Sequence, residues 1–322
     1  MVARRKHSLL NSRHHPIFAM LFGVSTTLLL LVVALHSVVM EEDAAASYAG
    51  AIEDAVDGIL QSLSRKRSAN DDPNQPRRKR QMKSYDRERA YQCVLDDYLG
   101  PYPLFNDRQF ERIFRVSRSV TDYLLMRLPA RNYFFQTSYD RAKRKSIYPE
   151  VKLLTALKIM GYGVAGIAFC DYFQMGESTA LLCVMELATT IVTDEEIRST
   201  YMRKMTPADA RRVEALHRRE HKVPGLIGYL DCMHISWKNC PMAHQGQYKG
   251  KEGHPTLVLE GMCDYNLWFW HIAFGYPGAL NDINVWERSP LLESFIDGSF
   301  ALNDFRFIID GIVFTLLYVL GK

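Results

Sequence analysis

Hydrophobic and polar positions change character several times along the chain. From Ile17 to Met40 no charged residue occurs, and Leu28 to Val33 is continuously apolar. About 20 apolar residues suffice to span a bilayer core, so 17–40 reads as a transmembrane helix. Arg4, Arg5, Lys6 and Arg13 precede it within a basic segment 1–16, and Glu41, Glu42 and Asp43 follow. That asymmetry suits a signal-anchor with a cytoplasmic N-terminus. Two alternatives stay open: a cleaved signal peptide with small residues at 44–47, and a buried helix. Residues 41–90 read as a basic disordered linker, broken by Pro73 and Pro76. Residues 91–222 have helical spacing. Phe110, Ile113, Phe114, Ser117, Val120 and Leu124 recur every three to four positions, as do Val151, Leu154, Leu157, Ile159 and Tyr162. Pro149 suits a first turn, and Ser178 is placed to cap a third helix.

Near 223 the period changes. Leu226–Leu230 reads as a buried strand ending at Asp231, Thr256–Met262 as a second and Leu267–Phe274 as a third. Gly275, Pro277 and Gly278 then break the chain, Asn281–Leu292 turns into a short helix, and Phe305–Ile309 is a fourth strand ending at Asp310. All four tryptophans lie in 223–322, which marks a packed core. The fold class is α/β: a helical region, then a sheet domain.

Composition narrows the classes. The chain has 322 residues, 48% of them apolar and 24% charged, with a formal net charge of +4. This excludes a wholly disordered chain, a collagen-like repeat and a polytopic membrane protein. Six cysteines without a CxxC pair argue against a disulfide scaffold or zinc ribbon and for reduced thiols in an intracellular protein. Positive charge is clustered. Residues 65–89 hold ten Lys/Arg against four Asp/Glu, and 111–145 hold nine against three. Such clusters fit a polyanion such as DNA, and equally a solvated face. Basic short helices fit a helix-turn-helix-like element, and a plain helical subdomain accounts for the same pattern. Arg77–Arg80 is a short basic run of the nuclear-import type.

Two apolar strands each deliver an aspartate at their C-terminal end, where open α/β sheets build sites. Carboxylates on adjacent strand ends can share hard divalent cations, which makes Asp231 and Asp310 candidate metal ligands. Asp282, in the loop after Gly278, is a third candidate, with a helix-cap or turn role as its alternative. Cys232, His234 and Cys240 have only loose zinc spacing, and His271 reads as a core histidine. Neither a Gly-x-Ser-x-Gly elbow nor a P-loop occurs.

The stretch Gly228–His234, with Trp237–Pro241 and Gly246–Tyr248, resembles PIF/Harbinger transposases and the nucleases derived from them. So do Leu267–His271, Phe274–Gly278 and Asn281–Val285. Ile309–Ile312 resembles the family's strand-end Asp-Gly motif, and Gly161–Ala165 and Met175–Ala180 its helical N-terminal region. The resemblance implies an RNase H-like fold with a DDE-type endonuclease site using Mg²⁺ or Mn²⁺, acting on DNA in the nucleus. Asp231 matches the first acid. The second stays open between Asp282, at the family's Asn-Asp position, and Asp310, which the fold's fourth strand would carry. The family continues past this point to a helix with Arg and a last catalytic Glu, whereas here 313–320 runs on as Val-Phe-Thr-Leu-Leu-Tyr-Val-Leu. The expectation is therefore an incomplete RNase H-like domain over 223–322, with activity left open for want of that glutamate, and with the termini as gene-model artefacts an equal alternative. Three functions follow: a metal-dependent DNA endonuclease, helped or not by a separate DNA-binding protein; a non-catalytic remnant that binds DNA or protein; and a single-pass membrane protein anchored by 17–40.

Overall fold

In the computed structural model, residues 84–238, 240–300, 305–309 and 311–321 are described. The expected anchor 17–40 and most of the expected linker lie outside them. Among the described residues no helix is long and apolar enough to cross a membrane. Contacts group the described residues into two units, dividing between 191 and 192. Helices come first and a mixed sheet second, as the change of period near 223 predicts.

The first unit is helical. Helix α1 (Arg87–Val94) is capped by Asp86, whose carboxylate accepts from the Arg89 amide at 3.0 Å. It therefore begins four residues before the helical region was expected to start. It runs into a π-turn at Leu95–Leu99 and stops at Gly100. Helix α2 (Asp107–Phe114) opens with a reciprocal capping box between Asn106 and Gln109. The single periodic run expected from Phe110 to Leu124 is two helices. Arg115 adopts φ 61°, and Ser117 starts α3 (Arg118–Arg131) by accepting from the Val120 amide. Side-chain spacing survives that turn, so periodicity alone does not reveal it. Helix α4 (Pro149–Tyr162) carries Pro149 in its first turn as expected, and it is buried along most of its length. Helix α5 (Glu177–Thr193) already includes Ser178 in its first turn, so Ser178 is not its cap. Phe110, Phe114, Phe135, Leu153, Leu154, Phe173 and Leu187 form the centre of this core.

The second unit takes in two helices that the sequence pattern groups with the first: α6 (Glu195–Tyr201) and α7 (Pro207–His221). Asp194 caps α6, and a Thr206–Asp209 capping box opens α7. Helix α7 packs on β1 (Leu226–Ser236). Strands β2 (Thr256–Cys263) and β3 (Phe269–Pro277) pair antiparallel, β2 with β1 and β3 with β2. Short helices α8 (Gln245–Tyr248), α9 (Asp282–Trp286) and α10 (Pro290–Ile296) fill the connections.

Two strand expectations need correction. Strand β1 does not end at Asp231: Cys232 to Ser236 continue the ladder against Glu260 to Thr256. The polar residues that suggested an end are half-buried members of the strand. Nor is Phe305–Ile309 the fourth strand of the sheet. Strand β4 (Phe307–Ile309) pairs with β5 (Ile312–Phe314) as a separate hairpin around Gly311, whose φ is 81°. The fourth position belongs to β6 (Tyr318–Gly321), parallel to β1, and the order is β3-β2-β1-β6. Gly225, at φ 81°, lets the chain enter β1 under the Phe307 ring, where a Cβ would come within 2.3 Å. The Gly225 carbonyl accepts from the Tyr318 amide at 2.9 Å, which sets the start of β6.

Candidate active site

Asp231 stands in the middle of β1, opposite Gly261 of β2. It is half-buried, and its Oδ1 accepts the backbone amide of Cys232 at 2.9 Å. Side chains alternate along a strand. Asp231 therefore shares a face with Tyr229 and Met233, and Cys232 and His234 take the other. On the parallel side, Gly321 of β6 pairs with Leu230, one residue before Asp231.

Asp282 is the first residue of α9, beside the cap Asn281, whose side chain accepts the Asn284 amide at 2.8 Å. A carboxylate suits a helix N-terminus. Electrostatically Asp282 acts on both Cys232 and His234. Burial pushes the Cys232 thiol up to about 12, with Glu260, Asp282 and Asp231 adding to it. Burial lowers His234, with Lys251 assisting and Asp282 opposing. Val285 of α9 packs in one apolar cluster with Cys232, so the helix that Asp282 opens lies against the Cys232 face of β1. Asp310 lies outside the described residues. Its neighbour Ile309 closes the β4–β5 hairpin on Ile312, away from the sheet position beside β1.

A buried polar group that the sequence reading missed lies next to this stretch. Glu260, opposite Cys232 in β2, is fully buried. Its Oε2 accepts the Ser289 hydroxyl at 2.6 Å and faces His271 Nε2 at 3.1 Å. His271 is buried in β3, as expected of a core histidine. Glu260 was visible as the one charge in the apolar run Thr256–Cys263, but alternation gave no sign of a partner 29 residues away.

Cys232 and His234 share one face of β1, while Cys240 lies in the β1–β2 connection. All six cysteines are free thiols. Among the described residues no three His, Cys, Asp or Glu side chains gather closely enough to hold a metal ion. The described residues thus do not by themselves complete a site of three such ligands.

The family described as plant transposon protein matches residues 199–322, which contain this entire sheet. This region is similar to plant transposon proteins. Full-chain comparisons agree with the resemblance to transposase-derived nucleases. The chain is 27% identical over 204 residues to "Putative nuclease HARBI1" of Homo sapiens, covering 61% of this chain and 56% of that protein. It is 27% identical over 184 residues to the Bos taurus protein of that name, covering 55% and 51%. It is 22% identical over 184 residues to "Protein ALP1-like" of Arabidopsis thaliana, covering 56% and 44%. The chain thus spans about half the length of these curated relatives. No solved structure matches. Within the matched region, Asp231 lies on β1, one residue past the Leu230–Gly321 pairing with the parallel strand, and Asp282 belongs to α9, which packs on the Cys232 face.

Proposed function

We propose that the matched region is the core of a metal-dependent DNA endonuclease of transposase descent, with Asp231 as its first carboxylate. The observation that carries this is the sheet: three antiparallel strands, with a fourth parallel to the first. That order supports an RNase H-like reading. Asp282 and Asp310 are the candidates for the partner acid.

Mg²⁺ or Mn²⁺ is the proposed cofactor. Bound, such an ion polarises a phosphoryl oxygen and offsets developing negative charge. No further step is derived through the ion, because the described residues do not complete its site. This chain contributes a half-buried carboxylate on a rigid central strand, oriented by the Cys232 amide. A nuclear location and a separate DNA-binding partner belong to the same reading, and membrane anchoring by 17–40 belongs to its rival.

The test is nicking of supercoiled plasmid by the full chain with Mg²⁺ or Mn²⁺. Asp231→Asn keeps the side-chain shape and removes the charge. We expect at least about a 100-fold loss of rate with an unchanged melting temperature. Equal nicking by both proteins sinks the assignment. A second reading, a non-catalytic DNA-binding remnant, draws on the exposed Arg112, Arg115, Arg131, Arg141 and Arg144 of the helical unit. It predicts salt-sensitive binding with no cleavage by either protein.

A further inference from the structure

Residues at the end of β1 and in the described part of the β1–β2 connection border an open cavity of about 400 Å³. Its lining includes Ser236, Trp237, Lys238, Gln245, His254 and Pro255. We propose that this cavity is a subsite for one unpaired base of single-stranded DNA. The proposal rests on the nuclease reading for the identity of the polymer, and on the cavity itself for the base.

The volume lies at the small end of ligand pockets, which run from about 300 to 1,000 Å³, and suits a single nucleoside. Trp237 and Pro255 offer flat apolar walls. Tyr248 meets the Trp237 ring edge to face, centroids 4.9 Å apart and planes 82° apart, and the half-exposed indole lines the cavity. Stacking on such a face accepts any base.

Beside the Lys238 ammonium, which only donates, the lining keeps two acceptor atoms. His254 Nδ1 lies 2.9 Å from the Glu252 carbonyl, which can only accept, so Nδ1 carries the ring proton in the neutral imidazole. Its Nε2, 2.7 Å from Ser236 Oγ, then accepts the serine hydroxyl, whose oxygen keeps its own lone pairs for a ligand. Gln245 uses its amide nitrogen on the Cys240 carbonyl at 3.4 Å and retains its amide oxygen. Two acceptors in one small cavity match the exocyclic amino group of adenine or cytosine, which thymine lacks.

Charge fits the same polymer. The described part of the connection carries Lys238, Lys249 and Lys251 against Glu252, and among the described residues none of these lysines is ion-paired. The base must be unpaired, because stacking on the indole needs a base taken out of its duplex stack.

The test is fluorescence anisotropy of labelled 12-nucleotide dA, dC and dT strands and a 12-base-pair duplex with the full chain in EDTA. We expect dA and dC to bind more tightly than dT. Trp237→Ala should weaken all three single strands about ten-fold and the duplex little. Gln245→Leu, which keeps the stacking wall, should erase the preference over dT. Thermal melts check that both variants fold. The proposal is overturned if both folded variants bind every strand like the parent, or if duplex and single strands weaken equally. The two readings fail separately. Absent nicking with the Trp237→Ala effect intact removes the nuclease and leaves the base site. Intact nicking with neutral variants removes the base site alone.

Discussion

His217, in α7, is fully buried, and both ring nitrogens lack a hydrogen-bond partner among the described residues. His221, Tyr229 and Tyr265 surround the ring. Burial lowers its pKa below 6.5 and His221 adds to the shift, while Asp264 and Glu214 oppose it. Between its folded pKa and 6.5 the unfolded chain holds more protons than the folded one, so stability rises with pH across that window. The contribution is complete above 6.5 and is lost as pH falls through the folded value, with a slope of at most about 1.4 kcal/mol per pH unit. Urea midpoints should drop between pH 7.5 and pH 5, and His217→Phe should flatten that drop. An equal drop in both proteins would assign it to other groups. Nothing in the residues around 217 reveals this, because the ring's burial depends on Tyr229 and Tyr265, which belong to other elements.

At the scale of elements, Ser289 ties two of them together. Its hydroxyl oxygen accepts the Leu291 amide at 3.1 Å and so caps α10. The same hydroxyl donates to Glu260 of β2 at 2.6 Å. Losing a cap costs about 0.5–2 kcal/mol, and removing a partner from a buried polar group about 1–3 kcal/mol. Ser289→Ala should therefore destabilise the domain by roughly 2–4 kcal/mol in denaturant unfolding. A loss confined to the cap range would show that Glu260 finds another donor. The cap was not read from the sequence, where Asn281–Leu292 turns into one short helix; the structure has two, α9 and α10, with Ser289 between them. Nor was the bond to β2, because it joins residues 29 apart through the packing of α10 on the sheet. Strand β4 teaches the same lesson. Its apolar run reads as a sheet strand, but the turn at Gly311 pairs it with β5 and hands the fourth position to β6.

For the whole molecule, the two units have separate apolar cores. Phe110, Phe135 and Leu187 belong to one; Ile227, Met262 and Trp270 belong to the other. All four tryptophans, at 237, 268, 270 and 286, fall in the second. Most of the long helices lie in the first. Two cores give no reason for a single cooperative transition. Indole fluorescence should then report the sheet unit and far-ultraviolet dichroism chiefly the helical one, with different urea midpoints. Coincident curves would show that the units unfold together. The division at 191/192 was not legible, because α6 and α7 have the same helical period as the unit before them. What separates them is that α7 packs on β1.

Local chemistry is what the sequence by itself determined. Helical spacing, the proline that opens α4, the switch to strands near 223 and the motifs around Asp231 all depend on neighbours within a few positions, and the resemblance to transposase-derived nucleases follows from those motifs in order. Tertiary structure alone decided that β1 runs on past Asp231, that β6 lies beside it, that α9 packs with Cys232, and that Glu260 finds Ser289. Each is a pairing between distant segments, set by backbone hydrogen bonding and by which apolar faces exclude water together. No local pattern encodes such partners.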